Sequence, residues 1–110
     1  MTDSTIIGRC KVADLKDGEI RKCQVEHGHV IAIYRQDGQL FATQDRCSHA
    51  LASLAEGWLE GYDVYCPVHE ARFDIRTGKP LCFPATDPIK TYDITTDDAS
   101  GDALVREKLQ

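Results

Sequence analysis

The chain has 110 residues, 42% of them hydrophobic and 28% charged, and a formal net charge of −5. That length and mixture fit one globular domain with a modest core. The acidic balance, with no run of Lys or Arg, speaks against nucleic acid and anionic membranes and suits a basic protein surface as partner. The opening MTDSTIIG has neither a basic segment nor a long apolar one, so it does not read as a secretory signal. The longest clearly apolar run, Val30 to Tyr34, is far too short to cross a bilayer, and the expected location is the cytoplasm.

Taken in chain order, TIIGRCKV and EIRKCQV read as strands separated by Asp17-Gly18, after a short turn at Ala13 to Lys16. In EHGHV, His27 and His29 flank Gly28 at a turn, and both are expected in solvent. VIAIYRQDGQLFAT, residues 30–43, is a hairpin: β-branched and aromatic runs flank Asp37-Gly38. A single helical turn is expected near Ser53 to Glu56. WLEGYDVYC reads as a second hairpin around Glu60-Gly61, and ARFDI as a strand followed by the turn RTGK. IKTYDIT and ALVREKL are two late strands joined by the polar TDDASG. No segment sustains a helical period and no repeat or linker is visible. The expectation is one all-β domain over residues 1–110, an antiparallel sandwich or small barrel.

The five cysteines are an odd number, which fits poorly with a disulfide scaffold. Cys10, Cys23 and Cys82 are scattered and read as small buried thiols. Cys47 and Cys66 keep different company. They open the pairs Cys47-x-His49 and Cys66-x-x-His69, with sixteen residues between the pairs. Both pairs fall on loops between strands, where a rigid sheet can hold a site. Thiolate and imidazole suit zinc, copper or iron–sulfur chemistry, whereas calcium and magnesium prefer oxygen. A zinc finger supplies two Cys from one motif and two His from the other. Here each motif supplies one of each, the division a Rieske centre needs: two Cys on one iron and two His on the other. A structural zinc site that staples two loops is the alternative at this point.

The flanking words extend the pattern. Cys47-x-His49, Cys66-Pro67-x-His69, Phe73-Asp74, the RTG at Arg76 to Gly78, the loop at Pro84, ASLAEGWLEG and PIKTYDI together resemble the Rieske 2Fe-2S family. More closely, they resemble the small Rieske ferredoxins of bacterial aromatic-ring-hydroxylating dioxygenase systems. The resemblance covers most of the chain. It implies a Rieske-type fold with a cluster-binding subdomain built from loops at about residues 44–85. It implies that Cys47 and Cys66 bind the buried iron, that His49 and His69 bind the outer iron near the surface, and that Pro84 lies in a covering loop. It implies one 2Fe-2S cluster and a one-electron carrier that takes electrons from a flavin-containing reductase and delivers them to a terminal Rieske oxygenase. A monomer is the default, with no nucleic acid or membrane partner. A small non-catalytic subunit of a larger reductase is the other reading, but such chains lack the ligand quartet kept here.

The sequence departs from the family where glycine often follows each ligand His: Ala50 follows His49, and Glu70-Ala71 follow His69. In high-potential relatives a serine and a tyrosine after the second ligand His donate hydrogen bonds to cluster sulfurs, and two further cysteines form a disulfide. Ala71 and Phe73, and Ala52 and Val68, stand at those positions here. With those devices missing, the expected potential is near the low end of the Rieske range, about −150 mV. No G-x-G-x-x-G appears and no nucleophile–base pair is evident, so no nicotinamide or flavin site and no catalytic residue is expected. Trp58 and the tyrosines Tyr62 and Tyr65 read as cross-strand packing. Glu56, Glu60, Asp63 and Glu70 read as a solvated face that in part contributes to docking.

Overall fold

The computed structural model describes residues 5–48, 51–68, 70–82 and 87–108. Those residues form ten strands: β1 (Ile6–Cys10), β2 (Ile20–Gln24), β3 (Val30–Gln36), β4 (Gln39–Gln44), β5 (Trp58–Glu60), β6 (Asp63–Tyr65), β7 (Arg72–Asp74), β8 (Pro80–Cys82), β9 (Thr91–Thr96) and β10 (Ala103–Glu107). Two single 3₁₀ turns, Glu26–Gly28 and Leu54–Glu56, are the only helical elements among the described residues. None is long and apolar enough to cross a membrane.

Six strands form one antiparallel sheet in the order β1-β10-β9-β4-β3-β2, and four short ones form a second in the order β5-β6-β7-β8. The expected β3–β4 hairpin turns at Asp37 and Gly38 with φ of 53° and 75°, the left-handed pair of a type I′ turn. β8 was not expected. It opens on Pro80, at the strand position where a missing amide costs no ladder bond. His27 and His29 are exposed, and His27 takes a φ of 62° inside the first 3₁₀ turn.

β3 explains most of the apolar run VIAIY: Ile31 to Tyr34 are buried, and Val30 at the strand's start is exposed. A strand with one wet face alternates, whereas one covered on both faces does not. Ile31 and Ile33 project into a core enclosed by the six-stranded sheet, with Val12, Leu15, Tyr92 and Val105. Ala32 and Tyr34 project the other way, into a second core with Leu54, Val64, Phe73, Ile75 and Ile89 that joins the two sheets. The Tyr34 hydroxyl is hydrogen-bonded to the buried Thr43 hydroxyl at 2.7 Å, so the polar tip of this fully buried ring is satisfied.

The expectation of three isolated thiols at Cys10, Cys23 and Cys82 is corrected at two positions. Cys10 and Cys23 form a disulfide, with Cα atoms 6.3 Å apart. β1 and β2 are the two ends of the six-stranded sheet. The sheet curls until those ends meet, and a pairing that depends on the curl is invisible in local sequence. Cys82 is free and half-buried.

Candidate metal centre

Cys47 lies on the loop after β4, and several backbone bonds fix that loop. The Cys47 amide donates to the Ala52 carbonyl at 3.0 Å, and the Leu54 amide to the Asp45 carbonyl at 2.7 Å. The Asp45 carboxylate accepts the Ala55 amide at 2.9 Å, capping the 3₁₀ turn that ends the loop. Lys22 of β2 reaches the same carboxylate at 3.9 Å and Glu56 at 3.5 Å. The Ser48 hydroxyl donates to the Asp87 carbonyl at 2.7 Å, tying this loop to the segment that leads into β9.

Cys66 lies at the tip of the β6–β7 hairpin. Its amide donates to the Ala71 carbonyl at 2.7 Å, closing the tip. Glu70, on that tip, has a φ of 54°, in the left-handed region that favours glycine. This is the place where relatives of the family often carry glycine, and the chain holds the conformation without it. Behind the tip, the turn after β7 is fixed by Asp74. Its carboxylate accepts the Arg76 amide at 2.8 Å and pairs with the guanidinium at 3.0 Å, which holds the carboxyl below its usual range. Gly78 then has a φ of 80°, and a Cβ there would lie 2.0 Å from the Ile89 carbonyl oxygen. The word RTG therefore ends at a position that only glycine fits.

The two loops bring the Cys47 and Cys66 side chains together in the core between the sheets. Both cysteines are free, at 2% and 0% exposure. Around them stand apolar groups: Leu54, Val64, Ala71 and Phe73. Burial pushes the Cys66 thiol up to about 11, the nearby Val68 backbone opposes the rise, and Cys47 adds to it. Two buried, adjacent thiols are poor thiolates alone and good ones beside a cation, the electrostatics of a metal-binding pair. The donor set thus fits a metal centre held by thiolates. Of the residues expected at the centre, Cys47 and Cys66 are brought together; His49, His69 and Pro84 lie outside the described residues.

One face of the four-stranded sheet carries a row in which the cross-strand packing expected of Trp58 and Tyr65 is extended by Arg72 and Cys82. Trp58, Tyr65, Arg72 and Cys82 are successive cross-strand partners. Trp58 stacks on Tyr65 with ring centroids 5.2 Å apart, and the Arg72 guanidinium donates to the Tyr65 hydroxyl at 3.1 Å. Tyr62 packs edge-on against Phe41 at 5.7 Å. Glu60 accepts the Trp58 indole N–H at 3.2 Å and Asp63 faces Arg72 at 3.9 Å, while Glu70 is exposed.

Residues 6–93 match the family model described as the Rieske [2Fe-2S] domain. The chain belongs to that family, and its cofactor is a Rieske-type 2Fe-2S cluster. It is 51% identical over 92 residues to the 3-phenylpropionate/cinnamic acid dioxygenase ferredoxin subunit of Photorhabdus laumondii, covering 83% of this chain and 86% of the relative. Among solved structures it superposes on the Sphingomonas yanoikuyae B1 ferredoxin with a TM-score of 0.83 and 36% identity, over 96% of this chain and 100% of that one. A chain from the complex of reduced oxygenase and oxidised ferredoxin of carbazole 1,9a-dioxygenase matches with a TM-score of 0.84 and 32% identity, over 97% of both chains.

Proposed function

We propose that this protein is the ferredoxin component of an aromatic-ring dioxygenase system, carrying single electrons from a flavin-containing reductase to a terminal Rieske oxygenase. It is a carrier and not the oxygenase. Cys47, Cys66, His49 and His69 hold the cluster. When bound, the cluster supplies one-electron chemistry. The chain's residues supply the rest. The loop bonds of Cys47 and Cys66 fix the two sulfurs relative to each other, and Leu54, Val64, Ala71 and Phe73 keep water from them. The observation that carries the reading is the convergence of two buried free cysteines from separate loops in a chain of this family.

Iron, acid-labile sulfide and zinc analysis of purified protein tests it. The expected result is two irons and two sulfides per chain, as the family description states, with the absorbance of a Rieske centre. Cys47→Ser and Cys66→Ser should each abolish iron binding. Stoichiometric zinc in protein produced with ample iron overturns the assignment.

A further inference from the structure

We infer that the Cys10–Cys23 bond is a redox-responsive staple across the open seam of the six-stranded sheet, so that the stability of the loaded carrier follows the thiol–disulfide balance around it. The topology carries this. Every other neighbouring pair in the sheet is joined by a hydrogen-bonded ladder, whereas β1 and β2 are its two ends. They nevertheless lie side by side. A Cβ on Gly8 would sit 2.3 Å from Val25 Cγ1, so the chains approach as closely as a missing side chain allows. Between the two strands themselves the disulfide adds to that packing; just beyond β1, the Arg21 guanidinium donates to the Lys11 carbonyl at 2.8 Å and to Asp14 at 2.7 Å, and Arg35 of β3 donates to the Leu15 and Val12 carbonyls at 2.7 and 3.2 Å. An edge without a ladder is where a covalent link contributes most.

The two sulfurs are unequally placed. Cys10 is 6% exposed and Cys23 is half-buried, which leaves Cys23 the sulfur open to an attacking thiolate and Cys10 the leaving group. Opening transfers two electrons and two protons from a dithiol, which becomes a disulfide, and leaves two cysteine thiols. Closure runs in reverse, with a small-molecule disulfide accepting the electrons and protons. The staple also bears on the metal centre. Lys22, beside Cys23, reaches Asp45 and Glu56 at the ends of the Cys47 loop, so β2 braces that loop from the strand the disulfide holds.

The test uses the iron-loaded protein incubated with oxidised glutathione or with dithiothreitol. Cysteines are alkylated after denaturation and mapped by mass spectrometry, and melting is followed by cluster absorbance. After oxidised glutathione, Cys10 and Cys23 are expected as one linked peptide. After dithiothreitol, both carry the alkyl label. The linked form should melt higher by about 10 °C, the scale of closing a loop of this length. The Cys10→Ser/Cys23→Ser variant should melt at the lower temperature in both conditions. If it does not fold, the two wild-type melts decide alone. Separate labelling of Cys10 and Cys23 after oxidised glutathione overturns the inference. So does a linked form that melts within about 2 °C of the opened one. Both readouts start from a loaded cluster of unchanged spectrum, so neither depends on which proteins exchange electrons with it.

Discussion

At Glu70 the backbone holds a φ of 54°, and a side chain in that region costs roughly 1–2 kcal/mol over glycine. Glycine gives back about 0.5–1 kcal/mol through the freedom it adds to the unfolded chain. Glu70→Gly should therefore raise stability by roughly 0.5–1 kcal/mol, read as a higher melting midpoint; a lower midpoint would show that the carboxylate stabilises the loop. Ala71 and Phe73, both fully buried beside Cys66, are the neighbours that lack a hydroxyl. The nearby Tyr34 hydroxyl is already engaged with Thr43. A donor to sulfur stabilises the more negative, reduced state, so Ala71→Ser with Phe73→Tyr should raise the potential by tens of millivolts, where about 59 mV is a tenfold shift for one electron. Protein-film voltammetry measures it, and a lowered potential would contradict the sign.

Among the elements, the turn after β7 has the clearest pH signature. Asp74 is held below the usual carboxylate range by Arg76, so its contribution is complete above the unfolded value of about 4 and is lost as pH falls through the lower folded value. Asp74→Asn should cost about 1 kcal/mol at neutral pH and flatten the acid limb of a denaturation profile. An acid limb as steep as wild type would place the titration elsewhere. The same scale separates what the sequence made legible from what it did not. Asp37-Gly38 marks a real hairpin because a type I′ turn is chosen by two adjacent residues, and the second hairpin turns one residue later than expected, at Gly61 and Tyr62, with Glu60 still paired to Asp63. The pairing of Cys47 with Cys66 was legible because short motifs encode it. The Cys10–Cys23 bond was not, since it exists only once six strands have curled. β8 was missed because three residues beginning with proline carry no alternation to read. The left-handed Glu70 was not legible, because a glutamate carries no local signal for positive φ.

For the whole molecule, a net charge of −5 favours basic surfaces at long range, while single residues distinguish one face from another. Glu70→Lys and Asp98→Lys alter net charge equally, so any difference between them is local. Asp98 is exposed on the β9–β10 turn, and its neighbour Asp97 is unsuitable because it holds Arg9 at 3.0 Å. Electron delivery to the oxygenase, followed by stopped flow, should slow more for Glu70→Lys, with the gap closing at high salt. Equal slowing would move the docking face away from the Cys66 tip. The curled sheet also constrains how the protein is made. β1 pairs only with β10, Cys10 lying opposite Ala103. The strand synthesised first must wait for the strand synthesised last, and until then its hydrogen-bonding edge stays open on the nascent chain. Such distant pairing is slow and exposes the chain to association in the meantime. The Cys47 and Cys66 loops are complete well before that point, so the two buried cysteines leave the ribosome ahead of the strand that pairs with β1.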